Sequence, residues 1–212
     1  MLALTMCVKQ KSAARSSLYY PESQHFNRTP HRPDQLSSFQ PYRSPEAARR
    51  PTTDVCVVGF YTETSRTHLK SVRDICTASA TGMQVRVEVT GFTVHRHEDL
   101  GSIPLAKVYV MFVDFNERNV ILEDPRKGLG DLRLLTVCSL WALGGDVILV
   151  YAGDLGSKGL EENELFNYGL TSINHHAELS KLKNQQRMLS VHKTFTPYQR
   201  NHIKDIVAAK CV

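Results

Sequence analysis

A run of hydroxyl-bearing residues follows the first strongly apolar segment of the chain. The segment 54–60, DVCVVGF, is followed by YTETSRT, which contains Thr62, Thr64, Ser65 and Thr67. A helix that opens here would add unpaired backbone N–H groups and the positive end of its dipole, which together bind anions. The stretch therefore predicts a phosphate-holding loop. The alternative is that Thr64 or Ser65 simply caps the helix.

The spacing of Thr62, Thr64 and Thr67 resembles the phosphate-holding loop of flavodoxins, in which Thr/Ser-x-Thr-Gly-x-Thr follows the first strand. The resemblance covers six residues and implies that these hydroxyls hold a phosphate group. Ser65 stands where the flavodoxin pattern has glycine, and the sequence has no recognisable pair of flavin-stacking aromatic loops. The identity of any cofactor is therefore left open.

Two later junctions carry further candidate ligand-binding residues. The apolar segment 107–115, KVYVMFVDF, contains Asp114 next to its end. This aspartate could bind a ribose or a metal, or it could be a solvated strand end or a cap for the next turn. The loop 153–159, GDLGSKG, brings glycines, a hydroxyl and a cation together in Gly153, Gly156, Ser157, Lys158 and Gly159. Glycines let backbone N–H groups approach an anion, although the Gly-Lys-Ser/Thr order of a Walker loop is absent and a flexible turn is the alternative. Because parallel strands end at one edge, we expect all three junctions to lie there.

The remaining polar residues do not complete a catalytic set. Glu117 and Glu123 are the carboxylates to test as a general base, but no partner fixes either role. His95 and His97 lack an identifiable third ligand, and the five cysteines show no metal-binding spacing, so no metal is expected. Whether the protein is an enzyme is uncertain from the sequence, which favours a protein without catalytic activity.

Apolar patterning predicts an α/β fold. Continuous apolar runs at 55–60, 107–115 and 146–153 indicate strands buried on both faces, and the alternation at 84–89 indicates an edge strand. Helices are predicted over 65–80, 132–143, 175–190 and from 197 onward, with a short strand near 190–195. Strands that alternate with helices favour a three-layer sandwich around a mostly parallel, flavodoxin- or Rossmann-like sheet.

The two parts of the chain differ in composition and charge. Residues 1–52 hold eight basic and three acidic residues and six prolines without an apolar run, which predicts a disordered basic arm. Residues 53–212, with eighteen basic and eighteen acidic residues, are predicted to form a single α/β domain. No segment is long and apolar enough for a membrane span, and the cysteines lack a disulfide framework. The expected location is cytoplasmic or nuclear, with mitochondrial as an alternative because the first twenty residues are basic and lack acids.

These features favour a non-enzymatic protein-interaction module, either an adaptor or a regulator, whose partner is another protein. The alternative is a nucleotide- or phosphate-ligand-binding domain, including an enzyme that acts on a nucleotide or nucleoside. A nucleic-acid partner is less favoured, because the domain beyond the arm carries no net charge.

Overall fold

The computed structural model describes residues 51–77, 86–116, 120–122 and 132–211, and these residues form a five-stranded parallel sheet flanked by helices. Its elements are β1 (Thr53–Gly59), α1 (Thr62–Thr77), β2 (Val89–Thr93), β3 (Ala106–Asp114), α2 (Leu132–Ala142), β4 (Asp146–Ala152), α3 (Ser172–His175), α4 (Ala177–Asn184), β5 (Met188–Val191) and α5 (Pro197–Cys211). The predicted arm, residues 1–52, lies almost entirely outside the described residues.

The strands follow the order β2-β1-β3-β4-β5, the order of a flavodoxin-like doubly wound sheet. Helices α1 and α5 pack together on one face, and α2 and α4 contact the sheet strands β3, β4 and β5. Connections between adjacent parallel strands are right-handed, which puts the β1–β2 and β3–β4 helices on opposite faces when the strand order reverses. The predicted three-layer α/β sandwich is confirmed.

The central strands are apolar because both of their faces are covered. Every residue of β3 from Val108 to Val113 is buried, and the neighbouring β1 and β4 are buried over most of their lengths. The strand predictions at 55–60, 107–115 and 146–153 are confirmed within one or two residues at each end. The buried residues of these three strands form a large part of the apolar core of the described domain.

The predicted edge strand at 84–89 is wrong in position. The edge strand β2 begins at Val89, which pairs with Val55 of β1. Gly91 lies in its middle, where a Cβ atom would stand 3.1 Å from Leu69 of α1. A glycine therefore lets the helix pack closely on this strand, and it also breaks the alternation by which the strand could have been recognised.

The predicted helix over 175–190 is also wrong in extent. Helix α4 ends at Asn184, and Gln186 takes the left-handed backbone conformation with φ of 56°. The chain then enters β5, whose four residues Met188–Val191 are all buried. The strand predicted near 190–195 thus begins earlier and ends earlier, because a sharp turn rather than continued helix follows the polar segment.

The sequence over 132–143 is apolar on nearly every side, which predicts that helix α2 is covered all round, and this prediction is wrong. Leu135 and Cys138 are exposed, while Thr136, Val137 and Leu140 face the sheet. The predicted glycine stop is confirmed, because Gly144 has φ of 83° and donates its N–H to the carbonyl oxygen of Trp141 at 3.0 Å.

Helix α5 begins as its sequence predicts. The N–H of Gln199 donates to Thr196 Oγ1 at 3.2 Å, and the N–H of Thr196 donates to Gln199 Oε1 at 3.0 Å. This reciprocal pair is a capping box, with Pro197 at the first helical position. The predicted inward residues of the helix, Ile203, Ile206 and Val207, are buried.

An ion pair closes the amino-terminal edge of the sheet at β4. Arg187 donates through Nε and through one terminal nitrogen to the two carboxylate oxygens of Asp146, each at 3.0 Å. Burial alone would raise the pKa of Asp146, but the hydrogen bonds and charge of Arg187, with a smaller contribution from Lys210, hold that pKa below its ordinary value of 3.8. The carboxylate therefore stabilises the fold in its ionised form.

We expect Asp146→Asn to lower the free energy of unfolding by about 2 kcal/mol at pH 7, because it removes charge-assisted hydrogen bonds in a half-buried position. Because the pKa of Asp146 is lower in the folded state, this contribution is fully present above the ordinary value of 3.8 and is lost as the pH falls through the lower folded value. Urea unfolding of the wild type and the variant at pH 7 and at acidic pH measures the difference.

Asp205→Asn is the matched control, since Asp205 is an exposed aspartate of α5. It is expected to change stability by less than about 0.5 kcal/mol at either pH. A gap between wild type and Asp146→Asn that stays constant into the acid range would contradict the assigned role of the carboxylate.

Candidate functional site

A cavity of about 310 Å³ opens at the carboxyl-terminal edge of the sheet. We call it the edge cavity. It is lined by one side of α1, by the ends of β3 and β4, and by the segment that follows β5: Thr67, His68, Ser71, Phe112, Asp114, Phe115, Ala152, Gly153, Val191, His192, Lys193, Thr194 and Phe195. The volume is at the lower end of the range for small-molecule sites. In an open parallel sheet this edge is where ligands bind.

A histidine–aspartate pair forms the polar centre of the edge cavity. His68 Nε2 lies 2.9 Å from Asp114 Oδ1, with side-chain exposures of 10% and 17%. Thr64 donates its hydroxyl to the other carboxylate oxygen of Asp114 at 2.9 Å. Strand β3 positions Asp114 as its last residue, and α1 carries His68 on the same buried stripe as Val72 and Ile75.

The His68 ring packs against an aromatic side chain. It stacks on Phe112 with ring centroids 4.1 Å apart and an angle of 9° between the planes. Phe112 in turn meets Phe195 edge-on at 6.2 Å. The stack and the hydrogen bond to Asp114 together fix both the position and the rotation of the imidazole.

Asp114 is ionised in this environment. Burial would raise its pKa, but hydrogen bonds from His68 and Thr64 and the charges of His68 and Arg133 outweigh burial and hold the pKa below its ordinary value. An ionised carboxylate only accepts hydrogen bonds, so Nε2 of His68 is the donor in this pair. The proton on Nε2 leaves the other ring nitrogen, Nδ1, as an acceptor in the neutral imidazole.

The predicted hydroxyl loop lies at the same edge, but most of its hydroxyls already have partners. Helix α1 begins at Thr62, so the expectation that Thr64 or Ser65 caps it is wrong. Thr64 donates to Asp114, and Ser65 donates to the carbonyl oxygen of Tyr61 at 2.7 Å and lies 3.0 Å from the Thr93 hydroxyl. Thr62 and Thr67 are exposed, and of these two Thr67 lines the edge cavity.

The predicted glycine loop divides into two parts. Gly153 lines the edge cavity with φ of 90°, and a Cβ atom there would stand 3.0 Å from Phe115. The other four predicted residues, Gly156, Ser157, Lys158 and Gly159, belong to a 3₁₀ turn over Leu155–Gly159 and are not among the residues that line the edge cavity.

A buried hydrogen-bond network fixes that turn. The Ser157 hydroxyl lies 2.6 Å from both Asp154 Oδ2 and Ser190 Oγ, and Asn167 donates to the same oxygen of Asp154 at 3.1 Å. A Cβ atom on Gly156 would stand 2.0 Å from the Asn167 amide nitrogen. Lys158 and Gly159 are exposed. The glycine and serine of this turn therefore have structural roles that the sequence did not indicate.

A second, smaller cavity of about 160 Å³ lies between α1 and the strands β1 and β2. Ser65, Leu69 and Gly91 line it, and His68 lines both cavities. The imidazole thus separates two spaces, and a movement of α1 along the sheet would change both of them.

Sequence patterns did not identify three residues of the site: His68, His192 and Phe195. His68 was detectable as the one polar residue on the inward stripe of α1. His192 and Phe195 follow β5, and a correct placement of that strand would have pointed to them as a fourth junction. Nδ1 of His192 is buried without a hydrogen-bond partner. Such an atom in a cavity wall calls for an explanation.

Two other predictions concern Phe115 and the pair of glutamates, Glu117 and Glu123. The apolar run 107–115 predicts that Phe115 belongs to the core, but this side chain is 46% exposed at the rim of the edge cavity, so that prediction is wrong. Glu117 and Glu123, the predicted general-base candidates, lie outside the described residues.

No group of three or more His, Cys, Asp or Glu side chains in the described part of the chain is arranged to hold a metal ion. Across the same residues, no helix has the length and apolar character that a bilayer crossing requires.

No protein-family model matches this sequence, and no curated protein matches it at a significant level. The candidate function therefore depends on the geometry of the edge cavity alone.

Proposed function

We propose that the domain binds a small uncharged ligand with a planar ring and neighbouring hydroxyls, of which a nucleoside is the simplest example, in the edge cavity. The observation that carries the proposal is the ionised Asp114 carboxylate at the floor of a cavity whose other surfaces include phenyl rings. A carboxylate oxygen accepts more than one hydrogen bond. Each Asp114 oxygen therefore keeps acceptor capacity for the hydroxyls of a sugar beyond its bonds to His68 and Thr64.

The aromatic residues favour a ligand with a planar part. Phe115 is nearly half exposed at the cavity rim, and Phe195 is almost fully buried in its wall. Ring stacking contributes about 0.5–1.5 kcal/mol beyond the burial of apolar area. Asp114 at the floor and Phe115 at the rim would thus hold the two different halves of one ligand.

The same geometry argues against a phosphate group at the floor of the cavity. The carboxylate of Asp114 takes the hydroxyl of Thr64, the residue that the phosphate-loop hypothesis needs most. A phosphate placed at the start of α1 would lie close to that negative charge and be repelled by it. Lys193 is exposed at the cavity, so a charged substituent at the mouth is not opposed in the same way.

Isothermal titration calorimetry with adenosine, uridine, ribose 5-phosphate and inorganic phosphate tests the proposal. We expect the nucleosides to bind and inorganic phosphate not to bind. Asp114→Asn should weaken nucleoside affinity about 10- to 150-fold, because a hydrogen bond to a charged group contributes about 1.5–3 kcal/mol. Phe115→Ala, a substitution at an exposed side chain that leaves the core intact, should weaken it about 2- to 12-fold.

Lys158→Ala is the matched control, since Lys158 is an exposed residue of the predicted glycine loop that does not line the edge cavity. Its nucleoside affinity should equal that of the wild type. Binding of inorganic phosphate that is lost in Lys158→Ala would instead support the phosphate-loop hypothesis. The absence of measurable heat from every compound at millimolar concentration would contradict the proposal.

A protein-interaction module remains the second candidate function, and one observation favours it. Large apolar side chains are exposed on the described domain, and Phe115 is at the rim of the edge cavity; they include Tyr61, Phe115, Leu155, Tyr168 and Tyr198. Exposed apolar groups of this size are typical of surfaces that contact other proteins. This candidate would be preferred if the calorimetric panel gave no binding.

A further inference from the structure

We infer that His68 is the general base of a hydrolytic site in the edge cavity, and that the bond it helps to break is the N-glycosidic bond of a nucleoside. The inference rests on the proposed function, because it takes the bound nucleoside as its substrate. It goes further in assigning a reaction and a catalytic residue, neither of which binding alone requires.

The first step is the orientation of the imidazole. Asp114 Oδ1 accepts from His68 Nε2 at 2.9 Å, and the Phe112 ring lies flat against the imidazole at 4.1 Å. Asp114 is itself held by the Thr64 hydroxyl. Nδ1 of His68 has no hydrogen-bond partner among the described residues, so its lone pair is left for a ligand or for water. A carboxylate that fixes the tautomer of a histidine and stabilises its protonated form is the arrangement that makes histidine an effective base.

The second step is the identity of the nucleophile. Ser71, the serine that lines the edge cavity with His68, donates its hydroxyl to the carbonyl oxygen of Thr67 at 2.9 Å. Burial raises the pKa of the Cys56 thiol to about 11, so this cysteine is protonated at neutral pH. The Ser71 hydroxyl is bonded within its own helix rather than to His68, and Cys56 does not line the edge cavity, so we assign water from solvent as the nucleophile.

The third step is the choice of the bond. Asp114 binds the hydroxyl-bearing half of the proposed ligand, and His68 is in direct contact with Asp114. The general base, His68, therefore lies next to the sugar and away from the nucleobase ring. In an uncharged nucleoside, the bond between these two halves is the N-glycosidic bond at C1′, and water can cleave it without a phosphate or an acyl group.

The reaction balances with water alone. His68 Nδ1 takes a proton from water as the water oxygen forms a bond to C1′. The bond between C1′ and the ring nitrogen breaks, and its electron pair stays on that nitrogen. The departing nucleobase then takes a proton on that nitrogen. The imidazolium of His68 supplies this proton through solvent. The products are the free sugar and the free nucleobase, and His68 is again neutral.

The test uses the full-length protein with uridine, inosine and adenosine as probes, and chromatography to measure the released base. We expect release by the wild type to exceed the buffer rate, and His68→Gln to slow it at least 100-fold, in line with the usual contribution of a general base. Glutamine keeps an N–H that can donate a hydrogen bond to Asp114, but its amide nitrogen does not act as a base. Nucleoside affinity of this variant by calorimetry should change much less than its rate, and Lys158→Ala should match the wild type in both.

The outcomes separate the two proposals. Nucleosides that bind without base release above the buffer rate would overturn the catalytic role and leave the proposed function standing, whereas a lack of nucleoside binding would overturn the proposed function itself. Equal release by wild type and His68→Gln would also overturn the role of His68.

A second measurement has a decisive reading on the wild type alone, and Asp114→Asn adds a comparison. Nitrogen-15 NMR of the wild type should show His68 with its proton on Nε2 and with Nδ1 as the acceptor. Asp114→Asn should shift the tautomer toward Nδ1–H, because an amide nitrogen can replace the carboxylate oxygen that faces Nε2. A wild-type His68 that carries its proton on Nδ1 would contradict the assignment.

Discussion

Gly145→Ala is expected to lower the free energy of unfolding by about 3 kcal/mol or more, which corresponds to a fall in melting temperature of about 6–12 °C for a domain of this size. A Cβ atom at position 145 would stand 2.3 Å from Cε2 of Tyr109 and 2.9 Å from the backbone oxygen of Ala106. Both distances are too short for a contact between atoms that are not bonded to each other. Either the tyrosine ring or the backbone of β3 must therefore move.

Neither of these groups is free to move. Tyr109 is fully buried, its hydroxyl accepts from the N–H of Ala106 at 3.0 Å, and it donates to the carbonyl oxygen of Pro104 at 3.0 Å. Burial, the largest influence, raises the pKa of this phenol above its ordinary value even though the hydrogen bond from Ala106 lowers it. A ring fixed at both ends cannot turn aside for a methyl group without the loss of these hydrogen bonds.

Urea unfolding of Gly145→Ala measures the effect, with Gly101→Ala as the control. A Cβ atom at Gly101 meets no atom within 4 Å, so that variant should lie within about 0.5 kcal/mol of the wild type. Gly145→Ala should cost less in a Tyr109→Leu background than in the wild type, because the ring that the Cβ atom would meet at 2.3 Å is then absent. Equal stability of the two glycine variants would contradict the close approach of residue 145 to the Tyr109 ring.

The second large effect is expected for Gln199→Leu, which should cost about 2–4 kcal/mol. Gln199 is fully buried, and its Nε2 donates to the carbonyl oxygens of Leu165 and Ser190, each at 2.8 Å, while its Oε1 caps the N–H of Thr196. Leucine fills a similar volume but leaves these backbone groups without their partner. A buried group that loses its hydrogen bond costs about 1–3 kcal/mol.

Two comparison variants separate the bridging role of Gln199 from its capping role. Thr196→Ala removes the cap bond alone and should cost about 1 kcal/mol. Gln199→Glu keeps an oxygen for the N–H of Thr196 but loses the amide donor, so it should be destabilised at least as strongly as the leucine variant. Thermal and urea unfolding measure all three. If Gln199→Glu were as stable as the wild type, the bridge to Leu165 and Ser190 would not contribute.

Burial on both faces explains which parts of the fold the sequence predicts. Strands β1, β3 and β4 are continuous apolar runs, and the start of α5 is set by local chemistry between Thr196 and Gln199. The elements that were misplaced depend on contacts distant in sequence. The position of β2 depends on the packing of Leu69 against Gly91, and the end of α4 depends on a single left-handed residue, Gln186.

The candidate site was predicted only in part, for a related reason. Asp114 was identified because it ends a central strand, and Thr64 because it lies in the hydroxyl-rich stretch that follows β1. The hydrogen bond between these two side chains joins residues that are 50 positions apart and has no local signature in the sequence. His68 is separated from Asp114 by 46 positions, and a lone histidine on a buried helix face is more often structural. Only the fold reveals that the two meet at a cavity.

The position of β1 in the interior of the sheet has a consequence for the protein during its synthesis. This strand pairs with β2 on one side and with β3 on the other, and both partners come later in the chain. From Gly59 to the end of β3 at Asp114 there are 55 residues, and at about 5–20 residues per second a ribosome needs about 3–11 s to make them. Until β2 is complete at Thr93 this apolar strand has no neighbour, and until β3 is complete at Asp114 its second edge stays unpaired. Chaperones, or packing against α1, must keep a nascent chain from pairing with another chain through that edge.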